Sequence, residues 1–577
     1  MSQGSTFSVQ EIPFSHQGSW FGISPVIAEK TVAEDLHLVS HQTGMHPVLR
    51  FEPRRDGRRV DPVITADPAR LRWRHGGGRI ELVYQDPATV RLRGTGLGLR
   101  IAAAAGELTP FSGTYLYRDP VDGAHVFTSY ETGRRYRVTV LTAGDPVAAG
   151  PELLGAGERH LDLPADAAWE VAVEEYATAC PPYPATATFD EVARATRARF
   201  AAFADAVAPW RSARTPAAEL AAYVLWSATV APGGFLGRPA VLMSKHWMDK
   251  VWSWDHCFNA LALAPGDPEL AWHQFQLPFD HQDAAGALPD SVTHSEVLYN
   301  FVKQPIHGWA FGHLRRLLPR ALDRAELAET YRRLARWTEF WLVHRRVPGH
   351  DLPHYQHGND SGWDNATTFD GDRLVETADL AAFLTLQLDE VATLAAELGD
   401  AAAAARWNNE AVRIRATLVD ELWDGTRFAA RGAATGRTRR STSLLDLMAV
   451  ALGPQLPREV LDRLVDGVTT HLTAHGLATE PVSSPHYTPD GYWRGPIWAP
   501  ATVLVEDGLR RAGRTGLADE ISRRFRALCE KSGFAENFDA ETGAGLRDRA
   551  YTWTASSYLI LAAAHEARLS AQEGRAA

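Results

Sequence analysis

The strongest constraint on this chain is a change of hydrophobic period near residue 185. Upstream, Arg79-Ile-Glu-Leu-Val-Tyr84, Thr89-Val-Arg-Leu-Arg93, Arg135-Tyr-Arg-Val-Thr-Val140 and Trp169-Glu-Val-Ala-Val173 alternate apolar and polar side chains, with turn signals at Gly76-Gly-Gly78, Asp122-Gly123 and Thr132-Gly133. That alternation predicts an antiparallel β-sandwich. Downstream, Leu327, Tyr331, Leu334, Trp337 and Trp341 recur at helical spacing, as do Leu380, Leu384, Val391, Leu394 and Leu398. Pro181-Pro182 and Pro184 mark the change, so the sequence predicts a β domain with its linker over residues 1–185 and an all-α domain over 186–577. Two helical arrangements are open, a superhelical solenoid and a closed double ring of six inner and six outer helices, and the lack of a short repeat disfavours the solenoid.

Composition narrows the function. A formal charge of −11 with pI near 6.1 and no basic tract excludes nucleic acid and an anionic membrane surface as main partners, leaving a small, neutral or polyol-like molecule. Cys180, Cys257 and Cys529 are too few and scattered for a disulfide framework or thiolate metal site, and are expected as free thiols. With neither a signal-like start nor a membrane-length apolar run, the expected location is the cytoplasm. Nothing in the sequence sets the oligomeric state.

The polar, aromatic-rich stretches fall in the breaks between helices, where a plain connector needs neither charge nor aromatic bulk. Asp364, in Gly358-Asn-Asp-Ser-Gly-Trp-Asp-Asn365, and Glu536, in Phe534-Ala-Glu-Asn-Phe538, form a candidate acid and base. Hydrolysis of a sugar acetal requires such a pair, and an apolar neighbour such as Trp363 raises a carboxyl's proton affinity. Taken locally, Asp364 fits a helix N-cap equally well, and Glu536 a solvated loop carboxylate. Other chemistries are poorly served: there is no nucleophile elbow, and Gly94-Thr-Gly-Leu-Gly98 opens no helix as a phosphate loop would. His350, His354 and His357 lack zinc spacing, so neither metal nor cofactor is expected.

These motifs resemble the clan of (α/α)6-barrel glycosidases that contains glycoside hydrolase family 63 and the family 37 trehalases. Ser361-Gly-Trp-Asp364 matches the trehalase element whose aspartate is the general acid. Glu536-Asn537, followed by Tyr551-Thr-Trp-Thr554, is similar to the family 63 element whose glutamate is the general base. Trp254-Asp255 looks like the early sugar-binding pair, and Lys303-Gln-Pro305 and Tyr492-Trp-Arg-Gly-Pro-Ile-Trp498 resemble further clan signatures. The resemblance spans roughly residues 240 to 560.

It implies an (α/α)6 barrel preceded by the β-sandwich, with Asp364 and Glu536 catalytic. Trp254, Phe258, Trp363, Trp493, Trp498 and Trp553 would supply aromatic walls. Asp255, Lys303, Gln304, His357, Asp360, Asn365, Tyr492, Arg494 and Gly495 would provide the remaining substrate contacts. The implied activity is exo-acting, inverting hydrolysis of an α-glycoside. Because bacterial mannosylglycerate and glucosylglycerate hydrolases usually lack a large β domain, an α-glucoside oligosaccharide is the first expectation and those glycerate glycosides the second. Trehalose is disfavoured by Val302-Lys-Gln-Pro305, where trehalases carry Arg-Ser-Gln-Pro. A sugar epimerase would rely on paired histidines, and an inverting phosphorylase would replace the base with a phosphate site. A non-catalytic carbohydrate binder is the alternative outside catalysis.

Overall fold

The computed structural model describes residues 6–142 and 146–576. Their contacts separate into two compact units. One holds the described residues up to Ala206 with Ala222–Lys250 and Thr293–Ser295; the other holds Val207–Ala221, Val251–Val292 and the described residues from Glu296 onward.

The first unit is built on two antiparallel sheets. One orders its strands Phe21–Ala28, Thr31–Ser40, His46–Arg55, Gly98–Ala103, His160–Leu163 and Val147–Ala149. The other runs Thr114–Arg118, His125–Ser129, Arg134–Thr142, Trp169–Tyr176, Thr89–Thr95, Gly78–Asp86, Arg70–His75 and Val63–Asp67. The period-two pattern does what it should. Ile80, Leu82 and Tyr84 turn into a core shared with Phe51, Trp73, Phe127, Tyr136 and Trp169. On the opposite side of the same strand, Val83 meets Phe189 and Val192 of the helix Phe189–Val207. Gly94 belongs to this packing, because a Cβ there would lie 2.3 Å from the Trp169 indole, whose Nε1 donates to the Leu97 carbonyl (2.9 Å).

Ala222–Lys250 is tied into the first unit by buried polar contacts. Lys245 donates to Ser15 Oγ (2.9 Å) and the Ser19 carbonyl (2.6 Å), and burial pushes its amine well below the usual lysine range against the pull of Glu175.

In the second unit the helices close on themselves. His256–Leu263 packs on His307–Leu317, which packs on Ala378–Glu397, then Leu444–Gln455, Ala499–Arg511 and Thr552–Ala576, and the last returns to the first. Outside this inner ring, Pro268–Asp280, Arg324–His344, Ala401–Leu422, Arg458–His471 and Thr515–Ser532 each pack against an inner neighbour. The arrangement is therefore the closed ring and not the solenoid, with six inner helices and, among the described residues of this unit, these five outside them. Its helices start where their caps dictate: Asp323 and Glu326 form a capping box, and Asp267 caps the Leu270 amide (3.0 Å) ahead of Pro268. Leu334, Trp337, Leu380, Leu384, Val391 and Leu394 are fully buried, as the helical period requires. Among the described residues, no helix is long and apolar enough to cross a membrane.

Candidate active site

Residues in the segments just before the inner helices carry the candidate chemistry. Asp364 is presented by a tight turn whose every member has a local job. Gly358–Ser361 forms one 3-10 turn; Ser361 Oγ donates to the Gly358 carbonyl (2.6 Å) and accepts from the Trp363 amide (3.1 Å). Gly362 then takes a left-handed φ of 69°, and a Cβ on it would stand 2.8 Å from the Trp254 ring and 3.0 Å from Gln304 Oε1. Asp364 caps no helix, since the next short helix, Thr367–Phe369, is headed by Ala366. Gly362→Ala should therefore cost about 2–5 kcal/mol, from the left-handed strain and the overpacking together. Thermal unfolding checks this beside Gly399→Ala, whose φ is 89° but whose added methyl meets open space; equal losses in the two variants would refute the packing argument.

Glu536 sits on the opposite part of the ring. Its amide donates to the Asp548 carbonyl (2.7 Å), and the adjoining strand Asn537–Phe538 pairs with Gly545–Leu546. Tyr492 and Arg547, both non-glycine residues with left-handed φ (64° and 59°), meet beside it. The Arg547 guanidinium lies 4.9 Å from the Tyr492 ring centroid, donates to Asn537 Oδ1 (2.9 Å) and pairs with Asp490 (2.7 Å). Tyr492 lies beside Glu536 and works to lower its proton affinity.

Electrostatics link these groups. Burial raises the Asp364 carboxyl above the usual carboxylate range, with Lys303 opposing and Asp290 adding to the rise. Burial, reinforced by Asp548 and opposed by Arg547 and Tyr492, pushes Glu536 up to about 8. Asp255 is also pushed up to about 8, by burial first, with Asp290 and Asp364 adding and Lys303 opposing. Lys303 itself is raised: its burial works against the charge, but Asp290 (3.1 Å), Asp364 and Asp255 outweigh it. Asp364 and Asp255 are thus coupled through Lys303 and Asp290, while Glu536 is raised beside Asp548; carboxyls held above their ordinary range are of the kind that proton transfer uses.

The same region holds buried polar atoms with no partner. Both amide atoms of Gln304, Asp255 Oδ2, Asn537 Nδ2 and the Trp553 indole Nε1 are in this state. Such groups are normally paired, and these donors and acceptors are of the kind that sugar hydroxyls satisfy. An aromatic chain runs alongside. Trp363 faces Trp493 (4.5 Å between centroids), Trp493 stacks on Trp498 (4.0 Å, 6°), and Trp498 and Trp254 each meet Trp553 edge-on at 5.5 Å.

Several residues expected at the substrate are instead engaged in holding loops. Asp360 accepts from the Val302 and Gln356 amides (3.1 and 2.8 Å) and pairs with Arg345 (2.7 Å), which uses both its oxygens. Asn365 donates to the Gly491 carbonyl (3.0 Å) and accepts from the Trp493 amide (3.0 Å), while Arg494 donates to the Asn365 carbonyl (2.7 Å) and pairs with Asp370. Gly495 has φ 146° and is closed in by the Thr488 carbonyl, and Phe258 is fully buried behind Trp254. Conversely, Asp290, Arg547 and Asp548 join these groups without having been singled out, and Asn537 and Tyr551, quoted only as parts of motifs, join them too. Arg547 and Asp548 lie in a plain loop with no motif, so only Asn537, in Glu536-Asn537, and Tyr551, in Tyr551-Thr-Trp-Thr554, carried a readable signal. Among the described residues, no group of three or more His, Cys, Asp or Glu side chains is placed to hold a metal ion.

Residues 248–554 match the model of the mannosylglycerate hydrolase MGH1-like glycoside hydrolase domain. The chain belongs to this glycoside hydrolase family. A mannosylglycerate hydrolase of Rubrobacter radiotolerans is 24% identical over 406 residues, covering 53% of this chain and 89% of that one. The solved family 63 mannosylglycerate hydrolase of Thermus thermophilus in complex with glucose aligns at TM-score 0.51 and 20% identity, over 59% of this chain and 98% of that chain. A bacterial glucoamylase complexed with acarbose aligns at TM-score 0.61 and 10% identity over 98% of this chain and 96% of the other, a likeness of fold that spans both the β and the helical parts. An N-terminal β domain followed by an (α/α)6 barrel is thus the architecture, and O-glycosyl hydrolysis the reaction class. The matched model and these mannosylglycerate hydrolases carry the name of the second substrate expectation, not of the first.

Proposed function

We propose that this hydrolase removes a single terminal sugar from a small α-glycoside with inversion of configuration, Asp364 acting as general acid and Glu536 as general base. The observation that supports this most is the pairing of two buried carboxyls, both held above the ordinary carboxylate range, with a lining of unpartnered polar atoms. Protonated Asp364 donates to the glycosidic oxygen. Ionised Glu536, its backbone held by the Asp548 carbonyl and its neighbour Asn537 by Arg547, takes a proton from water on the other ring face. Asp255 and Gln304 bind sugar hydroxyls, and Trp254, Trp363, Trp493 and Trp498 enclose the ring so that only a chain end enters. Lys303 keeps the acid, Asp255 and Asp290 together as a charge-compensated group.

The relatives' named substrate favours α-mannosylglycerate or its glucosyl counterpart over maltose-type oligosaccharides. Proton NMR of a fresh digest tests this, with α-mannosylglycerate, α-glucosylglycerate, trehalose and maltose offered with and without phosphate. The expected first product is the β-anomer of the free sugar from a glycerate glycoside. An α-anomer would refute inversion, a sugar phosphate would refute hydrolysis, and no product from any of the four would refute this choice of substrates.

A further inference from the structure

Four inner helices, His256–Leu263, His307–Leu317, Ala499–Arg511 and Thr552–Ala576, enclose with the segment at Trp210 a cavity of about 480 Å³. The candidate catalytic groups precede the inner helices. Leu261, Leu317, Val503 and Leu559, which line the cavity, lie beyond the first turns of theirs, so it sits toward the other end of the ring. Its walls are chiefly apolar, and Trp210 is half-buried and Leu317 40% exposed, so it opens to solvent. The volume falls in the range of about 300–1,000 Å³ usual for small-molecule sites, and an apolar body that fills it gains the free energy of taking those walls out of water.

The charged side chains in the lining are mostly compensated by one another. Asp507 accepts from the Trp309 indole Nε1 (2.9 Å) and from Arg511 Nε (2.9 Å), with His313 Nε2 at 3.4 Å, and these contacts fix the Trp309 ring in the wall. Arg510 donates through Nε and Nη2 to Glu506 (2.8 and 2.6 Å) and through Nη2 to Asp519 Oδ1 (2.7 Å). Arg568 differs. Its ion pair is a 3.5 Å contact with that same Asp519 oxygen, which Arg510 already holds. Burial, and then Arg510, lower the Arg568 guanidinium from its usual range despite Glu506 and Asp519, whereas Arg510, which burial also opposes, is raised by those two carboxylates. The cavity thus joins an apolar body to one cation that its own carboxylates leave poorly matched.

We propose that this cavity is a second ligand site, for a small amphipathic carboxylate whose aliphatic or aryl body lies along the wall of Trp210, Trp309 and Leu559 and whose carboxylate meets Arg568. A guanidinium presents paired donors in a planar fork, so a carboxylate gives Arg568 charge-assisted hydrogen bonds that Asp519 at 3.5 Å does not. A neutral apolar molecule leaves the guanidinium as it is, and an apolar cation is repelled by it. The site stands apart from the candidate catalytic groups and does not depend on which glycoside is cleaved.

Saturation-transfer NMR and calorimetric titration of the full chain with octanoate, 1-octanol and octylammonium test this. Octanoate should bind about tenfold tighter than octanol, the scale of a hydrogen bond to a charged group, and octylammonium should bind weakest. Arg568→Gln should bring octanoate down to the level of octanol and leave octanol unchanged, while Arg568→Lys should keep part of the preference. Ala567→Trp, which places an indole at an exposed position of the lining, should abolish binding of both. Circular dichroism and thermal unfolding establish that each variant is folded. Equal binding of octanoate and octanol to the wild type, tightest binding of octylammonium, or no octanoate binding at all overturns the proposal. So does a preference for octanoate that survives Arg568→Gln, or octanoate binding that Ala567→Trp leaves intact.

Discussion

Replacing Asp364 by Asn, or Glu536 by Gln, should each lower kcat on an unactivated glycoside by about 10²–10⁴-fold while leaving KM within a few-fold, because each change removes a proton transfer and keeps the shape of the side chain. The two losses should then part company. Asp364 assists departure of a poor leaving group, so Asp364→Asn should regain most of its rate on a glycosyl fluoride, whose leaving group needs no proton to leave. Glu536→Gln should gain far less there, since its missing step is activation of water. Glu536→Ala with added azide should instead form the glycosyl azide of inverted configuration, the anion attacking where water lacks its base. Steady-state rates on the two substrate classes and NMR of the azide product check the assignment. If fluoride rescued Glu536→Gln and not Asp364→Asn, the roles would be exchanged; if neither variant lost rate, neither carboxyl would be catalytic.

How much of this was legible beforehand follows from the range of the forces involved. Period two and period 3.6 are local, so Gly78–Asp86 and Ala378–Glu397 could be read from their own residues. Ser361-Gly-Trp-Asp364 was readable as a motif because each residue in it meets a local demand, the hydroxyl closing the turn and the glycine admitting Trp254. What a side chain meets across the ring was not legible. Asp360, Asn365 and Arg494 have the chemistry of sugar ligands, but their hydrogen bonds are consumed by Arg345, Gly491 and Asp370, partners set by the tertiary fold. Asp290 and Asp548 were invisible for the converse reason: a lone aspartate in a loop acquires meaning only when folding sets it near Lys303 or Glu536. The β domain is what put an α-glucoside first, yet an accessory domain constrains architecture and not the few groups that read the aglycone.

The pH dependence should expose Glu536 most directly in the Asp364→Asn enzyme acting on a glycosyl fluoride, where only the base has to be in a particular protonation state. Glu536 is pushed up to about 8, and it works as a base only when ionised. Its activity is therefore absent at low pH and gained as pH rises through about 8, changing tenfold per unit below that point, so the rate at pH 6 should be about one-hundredth of the plateau. Asp255, also pushed up to about 8, is the competing source of such a limb. Asp255→Asn added to Asp364→Asn separates them, since the limb persists if it belongs to Glu536 and disappears if it belongs to Asp255. The azide reaction of Glu536→Ala carries the opposite sign on an unactivated glycoside. There only Asp364 must be protonated, and the rate is lost as pH rises through a value above the ordinary carboxylate range. A rising limb near pH 4–5 in the Asp364→Asn enzyme would mean that the base is a solvated carboxylate, and Glu536, buried beside Asp548, would not be that group.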